Sequence, residues 1–429
     1  MRLGSSTAIL EGMSRLVLFA FLCALTSACS TPKRADTADS PIPILLISID
    51  GFRPDYLFRG DTPTLDRLAR EGAYSPGMRV SYPSLTFPNH YTLVTGLHPD
   101  RHGIVNNNMR DPKLGQFAMQ IRDAVEDGRW WQGEPIWLTA QRAGLRTATM
   151  FWPGAEADIQ GEHPNEWRPY DSKFSYTQRL QVVESWLSRP AGTRPHFMTL
   201  YFESVDTQGH YNGPGETATR DAIRDVDAQL AKVVALIDRH TASTVNVLIV
   251  SDHGMTPADP GRRIWLDELL PKGSYELISH GATAGLNPVD GYQRTVENIL
   301  LAPHPHMSCH RRDQLPSRWQ YGSHPRIPAI ICQAVPPWTI ANQRAVRTPP
   351  YALQPRLYLG SHGYDPSLDE MNALFIAHGP SIAAGTLVRG IASVDVYGLM
   401  CQLLGIPPAD NQGSTSPTAR ILNARAPRH

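Results

Sequence analysis

The sequence predicts an α/β protein with a mostly parallel central sheet, helices on both faces and a small inserted cap. Three observations predict it. Short apolar runs of strand length recur along the chain: Ile42 to Ile49, Leu145 to Trp152, Phe197 to Phe202, Val245 to Val250 and Ala373 to Ala377. Between them, apolar residues recur every three to four positions, as on a helix buried on one face. The stretch from about 282 to 355 breaks this rhythm: it is rich in Pro, Gly, His and Arg, its strands look short, and it reads as an insertion within one large domain.

Taken in order, the first apolar run is followed by Thr62 to Gly72, with Pro63 near the start and Gly72 at the end, a helix bounded by its usual punctuation. Ala222 to His240 places Ile223, Val226, Leu230, Val233, Val234 and Ile237 on one stripe. Val394 to Leu404 is a third helix, with Asp395 in its first turn. No internal repeat is visible.

Composition narrows the function. The chain of 429 residues carries 40 basic and 40 acidic side chains, so its formal net charge is zero, which argues against nucleic-acid binding by bulk positive charge. A hydrophobic fraction of 41% and a charged fraction of 19% suit a globular core and exclude disorder over most of the length.

The N-terminus predicts export. Residues 14 to 28 form an apolar run behind Arg15, too short for a comfortable membrane span and ending in small residues. Residues 1–28 therefore read as a signal peptide and 29–41 as a linker, with 42–429 as the main globular domain. Thr26-Ser27-Ala28-Cys29 is a degenerate lipoprotein-type site, which leaves two outcomes open: a lipid anchor at Cys29, or cleavage near Ala28 and a free periplasmic product. Of the five cysteines, Cys23 and Cys29 belong to this leader. Cys309 and Cys332 are the candidate disulfide of an exported protein, and Cys401 reads as a buried thiol.

In open α/β sheets, ligands gather at the carboxyl ends of the strands. Asp50 follows the first run, Asp206 and His210 follow the third, and Asp252 and His253 follow the fourth. His362 stands between glycines shortly before the last strand. Singly, such an Asp is often a helix cap and such a His structural. Jointly, three carboxylates and three imidazoles at one sheet edge can hold two metal ions, and mixed N/O ligands suit Zn²⁺. Without metal the carboxylates would repel one another and raise their own pKa values. Pro83 to Thr95 reads as a loop entering a helix near Phe87, which puts Thr86 at a helix N-terminus where an anion is favoured. Thr86 is then a candidate nucleophile, with a simple N-cap as the other reading and Ser84 as the local competitor.

These residues together resemble a known family. Ile49-Asp50-Gly51-Phe52-Arg53, Thr86 to Tyr91, Gly96 to Ile104, Asp206 to His210, Ser251 to Met255 and Ser361 to Tyr364 appear in order over about residues 42 to 410. The set is similar to the nucleotide pyrophosphatase/phosphodiesterase family of the alkaline phosphatase superfamily, in its compact bacterial form. The resemblance implies an alkaline phosphatase-like fold. It implies one Zn²⁺ on Asp206, His210 and His362, and another on Asp50, Asp252 and His253 with Thr86 as its nucleophile. It also implies that Asn107, flanked by Asn106 and Asn108, donates to a phosphate oxygen together with the backbone N–H next to Thr86, and that Phe87 and Tyr170 sandwich a nucleobase.

The implied activity is hydrolysis of phosphodiester and pyrophosphate bonds in nucleotides through a nucleotidyl-threonine, releasing nucleoside 5'-monophosphates. The expected partner is a small-molecule nucleotide, with no stable nucleic-acid complex and no protein partner. The same chemistry would serve a phosphodiesterase of choline-bearing lipids or glycerophosphodiesters, given a cation pocket in place of the stacking residues. A phosphomonoesterase and an exported metal-storing protein are further alternatives; the latter would need no nucleophile. Among the remaining polar residues, His98 and His102 read as loop-holding, His304, His306 and His310 as unrelated to the site, and Glu203 as a helix cap or a residue that orients a ligand.

Overall fold

The computed structural model describes residues 41–344 and 358–423. The leader, most of the linker including Cys29, and the end of the predicted insertion, from 345, lie outside these residues.

An eight-stranded sheet forms the centre. Its members are β1 (Ile44–Ile49), β2 (Ala73–Tyr74), β3 (Thr147–Met150), β4 (Glu166–Arg168), β5 (Phe197–Phe202), β6 (Asn246–Val250), β7 (Phe375–His378) and β8 (Thr386–Leu387), in the spatial order β8-β2-β7-β6-β1-β5-β3-β4. All pairings are parallel except those of β7 with β6 and β2. Every residue of β1 is buried, because helices cover both faces. Its side chains alternate between two cores: Ile44 and Leu46 pack with the layer of Val396, Leu399 and Leu403, whereas Leu45, Ile47 and Ile49 pack with that of Val226, Leu230 and Val233. The period of two along the strand meets the period of three to four along each helix.

The predicted helices are present: α1 is Pro63–Glu71, α2 is Thr86–Thr95, α4 is Thr217–Thr241, which begins ahead of the predicted Ala222, and α5 is Asp395–Leu404; α3, Ser204–Asn212, is a helix that the pattern did not indicate. Asp227 of α4 accepts from the backbone N–H groups of Thr64 (3.0 Å) and Leu65 (2.8 Å), supplying the cap that Thr62 does not make with its own side chain. Gly72 ends α1 because a Cβ there would lie 2.1 Å from the Ala377 carbonyl oxygen of β7.

A second, four-stranded antiparallel sheet occupies the region of the predicted insertion. It orders Tyr275–Ser279, Thr283–Pro288, Ile330–Ala334 and Met307–Arg311, so its first strand precedes residue 282. Cys309 and Cys332 face each other across its last pair and form a disulfide. The small sheet has its own core around Leu286, Val296 and Ile330. It is joined to the main body by Tyr82 stacked on Trp319 at 4.0 Å and by the buried Arg326, which donates to the carbonyls of Gly103 and Trp130. Cys401 is a buried free thiol, its pKa pushed up to about 12 chiefly by burial.

Candidate active site

Register places the site. Ile49 pairs with Phe202 and Ser48 with Val250, so β1, β5 and β6 end level and their next residues share one edge. Asp50 follows β1 directly. Gly51 must turn the chain there at φ 66°, and a Cβ on it would lie 3.0 Å from Asp206. Its N–H donates to Asp252 Oδ1 at 3.2 Å. Asp206 and His210 lie in α3, one turn apart on a single face, with Asp206 Oδ1 and His210 Nε2 3.5 Å apart.

All six predicted ligands converge. Asp206, His210 and His362 offer ligand atoms within 4.8 Å of one another, as do Asp50, Asp206 and His253, so the two predicted sets are contiguous. His253 Nε2 lies 3.0 Å from Asp252 Oδ2 and 3.5 Å from Asp50 Oδ1. The rings of His253 and His362 stack at 3.6 Å. The Thr86 hydroxyl opens α2 and stands 3.3 Å from His253 Nε2. Ser84, the competitor, is buried and donates to the Tyr364 carbonyl at 2.5 Å.

Two features of this constellation fit divalent cations. Asp50 Oδ1, Asp206 Oδ1 and Asp252 Oδ2 are buried without a hydrogen-bond partner. Such acceptors are costly unless a cation meets them. Each histidine also turns its Nδ1 to a backbone carbonyl: Gly360 for His210, Gly254 for His253 and Ser84 for His362, each at 2.9 Å. A carbonyl can only accept, so Nδ1 carries the hydrogen and Nε2 keeps a lone pair aimed at the carboxylates.

The expected rise from mutual repulsion of the carboxylates is met at Asp50 and reversed at Asp252, where neighbouring imidazoles dominate. Burial, then the Asp252 and Asp206 charges, push the Asp50 carboxyl well above its usual range. Burial acts on Asp252 in the same direction, but His253 and His90 outweigh it and hold that carboxyl well below normal. Burial, then His253 and His210, push His362 well down. Burial would lower His253, yet Asp252 raises it. Asp206 and His210 are the more open members, at 18% and 22% side-chain exposure, so solvent reaches the cluster from their side.

Asn107, rather than Asn106 or Asn108, reaches the site. Its Oδ1 accepts from the Phe87 N–H at 2.9 Å, which leaves its amide N–H groups to donate elsewhere. The Phe87 N–H is thereby engaged in orienting Asn107. Asn106 instead accepts from Asn108 N within the loop.

Phe87 is half-buried against Phe117 and Trp131, each 6.0 Å away. Tyr170 is 42% exposed, edge-on to Phe151 at 5.4 Å and Tyr201 at 6.1 Å. Among the described residues no ring contact joins Phe87 to Tyr170, so the two rings do not close on each other.

Glu203 does not cap α3 with its side chain; it pairs with both terminal nitrogens of the buried Arg179. His98 bonds Ser81, and His102 bonds Thr92 and the Pro88 carbonyl, holding their loop as read. His306 stacks on Trp338 in the small sheet's region.

The sequence reading missed Tyr201, whose hydroxyl donates to Asp50 Oδ2 at 2.5 Å, and His90, whose ring lies 3.3 Å from Asp252 Oδ2. The one available signal for His90 was its place four residues after Thr86 in a helix.

Residues 44–365 match the family described as Type I phosphodiesterase / nucleotide pyrophosphatase. Mouse ectonucleotide pyrophosphatase/phosphodiesterase family member 1 is 34% identical over 407 residues, covering 91% of this chain but only 44% of its own length. The chain thus spans under half of that relative. Bis(5'-adenosyl)-triphosphatase enpp4 of Xenopus laevis is 33% identical, over 94% of this chain and 86% of its own. The solved structure of murine family member 5, an inactive threonine-to-alanine variant in complex with AMP, superposes with a TM-score of 0.83 at 33% identity, over 89% of this chain and all of that one. The fold is accordingly alkaline phosphatase-like, and the chain belongs to the type I phosphodiesterase/nucleotide pyrophosphatase family.

Proposed function

We propose that this protein hydrolyses phosphodiester and pyrophosphate bonds in nucleotides and nucleotide esters and releases nucleoside 5'-monophosphates. The observation that carries the reading is the convergence of three orphaned carboxylate oxygens and three Nε2 lone pairs beside one helix-terminal hydroxyl. Asp206, His210 and His362 would hold one Zn²⁺, and Asp50, Asp252 and His253 the other. Two such ions, when bound, supply the positive charge that activates a hydroxyl and offsets charge on the attacking and leaving oxygens.

The chain's own residues do the rest. The Thr86 oxygen forms a bond to phosphorus while the bond to the leaving-group oxygen breaks, which gives a nucleotidyl-threonine. Water then cleaves that ester, regenerating the hydroxyl and freeing the monophosphate. Asn107, fixed through Phe87 N–H, presents its amide N–H groups to a non-bridging phosphate oxygen. Phe87 and the exposed face of Tyr170 receive the base by stacking, which gives affinity with little base selectivity. The inactive threonine variant of murine member 5 bound to AMP supports both the threonine and the nucleotide.

The deciding assay is AMP release from ATP with and without chelator, beside thymidine nitrophenyl phosphate and nitrophenyl phosphocholine. Cleavage of the two nucleotides only, abolished by chelation, is expected. Preferential cleavage of the phosphocholine ester would overturn the nucleotide assignment.

Export is part of the same reading. The apolar leader supports it, and the Cys309–Cys332 disulfide suits an oxidising compartment such as the periplasm. Mass spectrometry of the mature N-terminus distinguishes a lipidated Cys29 from a free end.

A further inference from the structure

We propose that His90 is a positioning residue for the nucleophile: its Nδ1–H donates to the Thr86 carbonyl and its Nε2 is anchored by the Ser48 hydroxyl of β1, so one side chain sets the helix that carries the hydroxyl beside the Asp252 carboxylate. The inference rests on the functional reading above.

His90 lies one turn beyond Thr86 in α2, and its ring is fully buried. Nδ1 is 2.9 Å from the Thr86 carbonyl oxygen and 3.3 Å from Asp252 Oδ2. Both are acceptors, so Nδ1 bears the hydrogen. Nε2 is 2.8 Å from the Ser48 hydroxyl, which then donates to it and holds that tautomer. Ser48 sits in β1, two residues before Asp50. Asp252 is therefore held on one oxygen from the end of β1, through Gly51 N–H, and approached on the other from α2. The ring cannot drift: Trp152 and Tyr201 stand edge-on to it at 5.1 and 5.5 Å, and the Trp152 indole N–H donates to the His90 carbonyl. His90 groups with Asp50 and Asp252 as a conceivable metal site. Yet both its nitrogens are engaged by protein atoms, whereas His253 keeps Nε2 free of any backbone or hydroxyl tie shorter than the 3.3 Å to Thr86. His90 orients; His253 ligates.

The test compares His90→Asn, His90→Gln and His90→Leu in the full chain, with thymidine nitrophenyl phosphate as substrate and zinc per chain counted after loading. An Asn amide nitrogen falls near imidazole Nδ1, and a Gln amide nitrogen near Nε2. His90→Leu and His90→Gln should lower kcat roughly 10- to 100-fold with KM changed by no more than about two-fold. His90→Asn should recover most of kcat, and all three should keep the zinc count of the unmodified chain. A merely structural role would not separate Asn from Gln, and those two polar variants decide the matter even if the Leu variant fails to fold. The proposal is overturned if Asn is no better than Gln, if His90→Leu keeps kcat within about two-fold, or if the variants lose one zinc, which would make the ring a ligand. An unmodified chain that cleaves no nucleotide ester would instead sink the functional reading, and the positioning role with it.

Discussion

Thr86 is defined by what surrounds it rather than by its own chemistry. An alcohol becomes a nucleophile only when its proton is readily lost, and the cluster beside it gathers three carboxylates that burial makes costly to leave charged and unpaired. Thr86→Ala should therefore reduce turnover by at least about three orders of magnitude while zinc content stays at the unmodified level. Activity within about ten-fold of the unmodified enzyme would dismiss the residue. Asp50 gives a second expectation. Its pKa is raised by burial and by Asp252 and Asp206, so in the metal-free chain it keeps a proton above the usual carboxylate range. Zinc competes with that proton, so apparent zinc affinity should weaken as pH falls toward the raised Asp50 pKa. Calorimetric titration of zinc across a pH series reads this; an affinity that does not weaken toward acid would contradict the argument.

At the scale of elements, positions immediately after strands were legible because a level sheet edge turns sequence distance into proximity. Asp50 and Asp252 needed only that logic, and Asp206 follows its strand by four residues, in the first turn of α3. Their partners needed more. His90 points inward because α2 begins at Thr86, and the role of its ring depends on Ser48, which lies 42 residues away in sequence. Asn107 could be separated from Asn106 and Asn108 only once the loop placed its Oδ1 on Phe87 N–H. Tyr275–Ser279 belongs to the small sheet through a short hairpin with Thr283–Pro288, a pairing that composition alone does not encode.

The Gly51 turn is the element most exposed to a single change. Gly51→Ala adds a Cβ at positive φ that meets Asp206, so it should cost about 1–2 kcal/mol from backbone strain alone and weaken zinc binding besides. Unchanged stability and zinc affinity would refute that. The loop after α2 carries buried neutral histidines, with burial lowering His98 to about 4 and His102 to about 3. Near pH 7 neither state is protonated there. As pH drops below about 6.5 the unfolded chain takes up protons that the folded chain refuses, so stability should fall until the folded pKa values are reached. Thermal unfolding from pH 7 to 4 should show this decline, reduced in His102→Gln; an equal slope in both proteins would contradict it.

At the scale of the whole molecule, the alternation of two cores across one sheet holds the ligand-bearing strand ends rigid, while the small sheet docks to one side through Tyr82, Trp319 and Arg326. Its disulfide closes a loop with a sequence separation of 23, for which chain entropy gives about 3 kcal/mol. None of the six proposed ligands lies in that sheet. Reduction should therefore lower the melting temperature without removing zinc.

The most direct measurement is the number of ions per active molecule. Elemental analysis of dialysed protein that releases AMP from ATP should give two zinc ions per chain, with Asp206→Ala and Asp252→Ala each lowering the count. A fully active protein with fewer than two divalent ions, or one whose count is indifferent to both substitutions, would contradict the account.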